Sequence, residues 1–127
     1  MCFKASLSSY KNIFGETPNV LKTVKGKELV SKTYTPLFDC FANKANEGAF
    51  KVISADFVDE SEGISIVHIA PAFGEDDYWV CKKNNVPLVC PVDEKGNFTA
   101  DVKMFEGMNV FDSNSEVVRY LKEQGLY

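Results

Sequence analysis

A mixed α and β fold is predicted for this chain, and three observations predict it. Two segments carry helix start and stop signals: Glu75-Asp76-Asp77 with a stop at Asn85-Val86-Pro87, and Ser113-x-x-Glu116 with a stop at Gly125. Between and before them lie runs of strand formers, most clearly residues 50–58 and 64–69. The chain has 127 residues, 45% apolar and 25% charged, which suits one soluble domain with a real core.

Taken in order, residues 5–14 place Leu7, Tyr10 and Phe14 at helical spacing, and Gly15 with Thr17-Pro18 is the stop. A helix so near residue 1 suggests that the chain begins inside a larger domain. Residues 19–24 read as a strand, Lys25-Gly26-Lys27 as a turn and residues 28–34 as a second strand, broken by Pro36. Residues 37–42 form a short apolar segment with helical character, and 43–48 are polar.

Residues 50–58 are the next strand, and the acidic stretch 59–63 is a loop leading to a strand over 64–69. Alternation puts His68 on the same face as Ile64 and Ile66. Pro71 lacks an amide donor and ends that strand, and a helix from Glu75 to about Asn84 follows. Residues 86–92 and 98–100 flank Asp93-Glu94-Lys95-Gly96-Asn97 as a hairpin, and Ser113-x-x-Glu116 is a capping box for the last helix.

Composition narrows the function. Cys2, Cys40, Cys81 and Cys90 are scattered around a single histidine, a spacing that supports neither a zinc site nor a disulfide framework. None of them sits in a recognisable catalytic context, so the thiols read as buried or idle. Residues 1–51 carry eight lysines against four acids, and 52–127 carry six bases against fourteen. With net charge -4 and Arg119 its one arginine, the domain alone should not hold a nucleic-acid backbone strongly. No apolar run nears the roughly 18 residues of a membrane span, and the cytosol is the expected compartment.

The stretch HIAPAFGEDDYW, residues 68–79, concentrates the chemistry. A carboxylate at a helix start is held ionised by unpaired amides and the helix dipole, so Asp77 suits an ammonium ligand better than general-acid work. Glu75 and Asp76 read as solvent-exposed dipole partners. First-turn acids are most often caps, however, and a lone strand histidine is most often a satisfied core residue, so the residues alone leave the choice between site and turn open. Adjacent carboxylates at a helix start point in different directions and do not make a glycosidase pair.

The pattern Ile66-Val67-His68-x-Ala70-Pro71-x-Phe73-Gly74-x-Asp76/Asp77-Tyr78 resembles the editing-domain signature of isoleucyl-tRNA synthetases, most of all the cytoplasmic eukaryotic type. Similar matches flank it: Tyr34-x-Pro36-Leu37-Phe38-Asp39, Glu47-Gly48-Ala49-Phe50, Pro87-Leu88-Val89-Cys90-Pro91-Val92-Asp93, Phe98-Thr99 and Leu121-Lys122-Glu123-Gln124-Gly125. The resemblance covers the chain from about residue 20 onward. Neither nucleotide-binding signature of the synthetase core is present, so residues 1–127 are expected to be a single, partial editing domain (the connective peptide insertion), cut out or encoded separately.

The resemblance implies a β-barrel-like editing domain of the isoleucyl/valyl/leucyl-tRNA synthetase type with flanking helices, lacking some N-terminal strands if the chain starts late. It implies hydrolysis of valyl ester from the 3′ end of the isoleucine tRNA, a proofreading step of protein biosynthesis. A pocket distinguishes valine from isoleucine by only about 1 to 3 kcal/mol, which is why a second sieve is needed. Asp77 matches the aspartate that holds the substrate amino group, and His68 the histidine that lines the amino-acid pocket. Phe73 and Gly74 fall in the substrate-binding loop, where Gly74 allows close approach, while Tyr78 and Trp79 are expected to pack the helix.

The attacking group implied is water helped by the terminal ribose hydroxyl, with no metal and no cofactor; ATP and Mg belong to the core of the parent ligase. The implied partners are the tRNA 3′ end bearing a misattached amino acid and the remainder of the synthetase, with no membrane. Two departures stand out. Gly63-Ile64-Ser65 replaces the usual Gly-Thr-Gly, and nothing in residues 1–35 resembles the family's threonine-rich segment. Without that wall a truncated, catalytically silent domain that only binds aminoacyl-adenosine or the tRNA 3′ end weakly is the alternative.

Overall fold

The computed structural model describes residues 11–58 and 65–127. Residues 5–10 of the first expected helix, the acidic loop 59–63 and Ile64 lie outside the described residues. Within them the order is α1 (Lys11–Phe14), a 3-10 turn (Gly26–Glu28), a longer 3-10 segment (Asp39–Glu47), α2 (Glu75–Lys83), a 3-10 turn (Ala100–Val102) and α3 (Asn114–Glu123). Pairing between extended segments is limited to isolated antiparallel bridges, Thr33 with Lys51, Val92 with Phe98 and Asn97 with Asn109. The described residues form no closed barrel.

The expected strands are therefore corrected to shorter contacts. Residues 28–34 and 50–58 do meet antiparallel: Ser31 N–H donates to Val52 O at 2.8 Å, Val52 N–H to Lys32 O at 2.8 Å, and Tyr34 N–H to Phe50 O at 3.0 Å. The ladder stops because Ser31 and Phe50 both take positive φ, 67° and 55°, which turns the chain out of the pleat. Residues 19–24 have no backbone partner among the described residues, and Leu21 is 91% exposed. Residues 66–70 run without regular structure, leaving Ile66, Val67 and His68 all exposed instead of alternating.

The hairpin is present in miniature. Asp93 N–H donates to Asn97 O at 2.9 Å and Thr99 N–H to Pro91 O at 2.9 Å, closing the turn around Gly96 at φ 80°. Phe98 then reaches Phe105, which is buried with Val102 and Cys81. Phe38 packs edge-on to Phe105 at 6.1 Å and stacks on Tyr120 of α3 at 5.3 Å, so the 38–39 corner, the hairpin and α3 share one aromatic cluster.

Helix ends follow the expected chemistry, with one exception. In α2, Val86 N–H bonds Cys81 O at 2.9 Å and Asn85 N–H bonds Lys82 O at 3.3 Å, with Asn85 left-handed at φ 52°. Gly125 closes α3 the same way, as Leu126 N–H reaches Leu121 O at 2.8 Å. The capping box does not form. Ser113 is itself helical (φ -73°, ψ -13°), so its Oγ turns back to Val110 O at 2.8 Å, and Glu116 pairs with Arg119 instead. No described helix is long and apolar enough to cross a membrane.

Candidate functional site

The site is built from the turn at residues 70–73 and the start of α2. Phe73 N–H donates to Ala70 O at 2.9 Å, closing a β-turn whose second position is Pro71, where a fixed φ is favourable. Gly74 is the N-cap in extended conformation (φ -154°, ψ 138°), and its carbonyl accepts Tyr78 N–H at 2.8 Å as the first helical bond. Glu75 and Asp76 are exposed in the first turn, where acids offset the helix dipole.

Asp77 behaves differently from its two neighbours. It is half-buried, and its Oδ2 accepts Ala70 N–H at 3.0 Å, so the carboxylate reaches back past the cap to hold the preceding turn. Gly74 leaves the room for this: a Cβ there would stand 3.1 Å from both Cγ and Oδ2 of Asp77. One carboxylate oxygen is thus engaged by the turn. The other forms no hydrogen bond among the described residues.

The structure brings Gly74 and Asp77 together, while His68 and Phe73 stand on the surface. His68 is exposed and makes no hydrogen bond or ion pair among the described residues, and Phe73 is 60% exposed. Trp79 is also 56% exposed. It meets Tyr78 edge-on at 5.1 Å, with Lys82 Nζ over both rings at 5.0 and 5.4 Å. Packing of Tyr78 and Trp79 is thus against each other and Lys82.

The opposite end of α2 is held by residues that local sequence reading did not single out. Lys51 Nζ donates to Asn84 O at 2.9 Å, placing a cation at the negative end of the helix dipole. Gly48, at φ 102°, lies so close that a Cβ would meet Asn85 O at 2.6 Å. The glycine in Glu47-Gly48-Ala49-Phe50 was the one available signal; nothing local marks a lysine whose partner is 33 residues away.

Between the two ends, the buried Cys81 thiol is pushed above its ordinary value of 9.0 by burial and then by the Asp77 carboxylate, with Lys51 pulling it down. No group of three or more histidine, cysteine, aspartate or glutamate side chains among the described residues could hold a metal ion. A cavity of about 340 Å³ lies elsewhere, between Phe38, Asp101, Phe105 and Tyr120.

The chain is similar to a segment of isoleucine–tRNA ligases. It is 50% identical over 106 residues to the isoleucine–tRNA ligase of Chlamydia pneumoniae, covering 84% of this chain and 10% of that one. Identity is 43% over 122 residues to that of Bdellovibrio bacteriovorus, 96% of this chain and 12% of the relative, and 44% over 122 residues to that of Rickettsia felis, 95% and 11%. The chain therefore spans about a tenth of the length of these relatives. They are bacterial and give no support to a eukaryotic type. No protein-family model matches the chain.

Proposed function

We propose that this chain is part of the editing domain of an isoleucyl-tRNA synthetase, where it serves hydrolysis of valyl ester from the isoleucine tRNA. The observation that carries the proposal is the half-engaged Asp77 carboxylate: Oδ2 is fixed by the Ala70 amide beside a glycine that leaves space for it, and the other oxygen makes no hydrogen bond among the described residues. A carboxylate oriented by its own turn is preorganised to receive the substrate ammonium. Similarity to a segment of isoleucine–tRNA ligases supports the parent enzyme class.

In this reading Asp77 anchors the amino group, and the exposed His68 and Phe73 border the amino-acid and 3′-end side. Gly74 keeps the loop close to the ester. Water is the nucleophile, helped by the terminal ribose hydroxyl, and editing uses no metal or cofactor; ATP and Mg serve the parent ligase core. The partners are the tRNA 3′ end and the remaining synthetase, in the cytoplasm, and the barrel-like fold belongs to the domain of which this chain is part.

A second reading is favoured by the exposure of His68 and Phe73, which face solvent instead of a pocket wall. By that reading the chain alone is silent and binds aminoacyl-adenosine weakly. Deacylation of valyl-tRNA of the isoleucine type, with isoleucyl-tRNA and Asp77→Ala as controls, separates the two. Selective hydrolysis lost in the variant supports an active editing site; a folded chain that leaves the ester at its spontaneous rate supports the silent one.

A further inference from the structure

We propose that Lys51 is a positioning residue for the Asp77 site, fixing α2 from its C-terminal end; the functional weight of this rests on the editing reading above. Lys51 is half-buried and donates to the Asn84 carbonyl at 2.9 Å, at the last turn of a nine-residue helix whose first turn carries Asp77. Nine residues rise only about 13 Å, so a change of tilt at one end is felt at the other. The other side-chain donor to its C-terminal carbonyls is local, Asn84 Nδ2 to Val80 O at 2.8 Å.

The platform beneath Lys51 is unusually constrained. Thr33 bridges Lys51 directly, and Val52 both donates to Lys32 O and accepts from Ser31 N–H, each at 2.8 Å. Next to the Lys51 ammonium, Gly48 approaches Asn85 O more closely than any residue with a Cβ could, and Phe50 sits at φ 55°. A bulky side chain in the left-handed region is costly and persists only where its surroundings over-determine it. Here the result is that Gly48 and Lys51 together meet the successive carbonyls of Asn84 and Asn85 at the end of α2.

Two charges then bear on one buried turn. Asp77 and Cys81 are four residues apart, on the same face of α2, and the Cys81 thiol feels both the Asp77 carboxylate and the Lys51 ammonium. Through its bond to Asn84, Lys51 couples the 31–34/50–52 bridge to α2 and so to the 70–73 turn that Asp77 holds.

The test uses the full chain with Lys51→Met, Lys51→Gln and Lys51→Arg, reading amide hydrogen exchange residue by residue. The Ala70 amide, bonded to Asp77, reports the site; the Val102 and Phe105 amides, bonded to Thr99 O and Val102 O, report the distant core. Lys51→Met is expected to speed Ala70 exchange about tenfold with Val102 and Phe105 unchanged, Lys51→Gln less, and Lys51→Arg to restore the slow rate. Unchanged Ala70 exchange, an equal rise at all three amides, or no rescue by arginine overturns the proposal. Valyl-tRNA hydrolysis is followed in parallel. If Asp77→Ala leaves it untouched the editing reading fails, while the exchange data still decide whether Lys51 holds the turn.

Discussion

The Asp77 carboxylate accepts the Ala70 amide at 3.0 Å, a bond that closes seven residues and makes the start of α2 and the turn before it one unit. A first-turn acid normally offsets its own helix dipole or caps its own amides. Asp77 instead spends one oxygen on the preceding loop. A hydrogen-bond acceptor suffices for the loop, whereas the ammonium ligand of the proposed function needs a charge.

Substitution at Asp77 separates those jobs. Asp77→Ala strands the Ala70 amide in a half-buried position and should cost about 1 to 3 kcal/mol of stability in urea unfolding. Asp77→Asn keeps an acceptor of the same shape and should cost less than about 1 kcal/mol, chiefly the helix-dipole contribution. Under the proposed function both variants lose valyl-tRNA hydrolysis. An asparagine variant with wild-type hydrolysis would show that Asp77 is only a staple for the loop.

Gly74→Ala tests the space beside the carboxylate. Its φ of -154° is open to any residue, so backbone strain is not at issue. The added methyl meets Asp77 Cγ and Oδ2 at 3.1 Å and must displace the carboxylate by a few tenths of an ångström. Stability should fall by less than about 1 kcal/mol while the Ala70 amide exchanges faster. Slow exchange in the variant would mean that Asp77 accommodates the methyl without losing its bond.

How much of this was legible depended on how local the signal was. The three acids and the Asn85-Val86-Pro87 stop marked α2, and its ends lie where they indicated, because caps and dipoles act within one turn. The hairpin was legible from Asp93 to Asn97 for the same reason. The strands were not: Ser31, Phe50 and Ser65 adopt positive φ without being glycine, and composition carries no mark of that. Ser113-x-x-Glu116 had the right letters, but a cap must be extended, and Ser113 is helical. At the site, the helix start marked Asp77 and the motif marked Gly74, whereas Lys51 depends on a contact across 33 residues.

His68 is exposed and has no hydrogen-bond or ion-pair partner among the described residues, so His68→Ala should leave unfolding stability within about 0.5 kcal/mol. Its proposed part in rejecting the larger side chain is checked by comparing valyl and isoleucyl esters. The variant should begin to hydrolyse the isoleucyl ester, and a variant that still refuses it removes His68 from the selective wall.

Asp93 gives the turn a pH dependence. Its Oδ1 accepts the Asn97 and Lys95 amides at 2.9 Å each, and these bonds, Asn97 foremost, hold the carboxyl below its ordinary 3.8. A lowered folded-state value means that the stabilisation is present in full above pH 3.8 and is lost as pH falls through the folded value. Asp93→Ala should therefore be less stable than wild type at pH 6, with the gap closing as the solution is acidified below 3.8. A gap of the same size at both ends would mean that the ionised carboxylate adds nothing to the turn.

Cys81 predicts the opposite slope at alkaline pH. Burial, reinforced by Asp77 and opposed by Lys51, raises the thiol above 9.0, so the folded chain keeps its proton where the unfolded chain releases it. That preference is present in full below 9.0 and is lost as pH rises through the folded value. Cys81→Ala leaves a small void in the core and should be less stable than wild type at pH 7, but the difference should narrow above pH 9.0, because only the wild type has a thiol to ionise on unfolding. Urea midpoints of the two chains across that range measure it. A constant difference would mean that the thiolate is tolerated at this position, and with it that the interior face of α2 behind Asp77 is open to water.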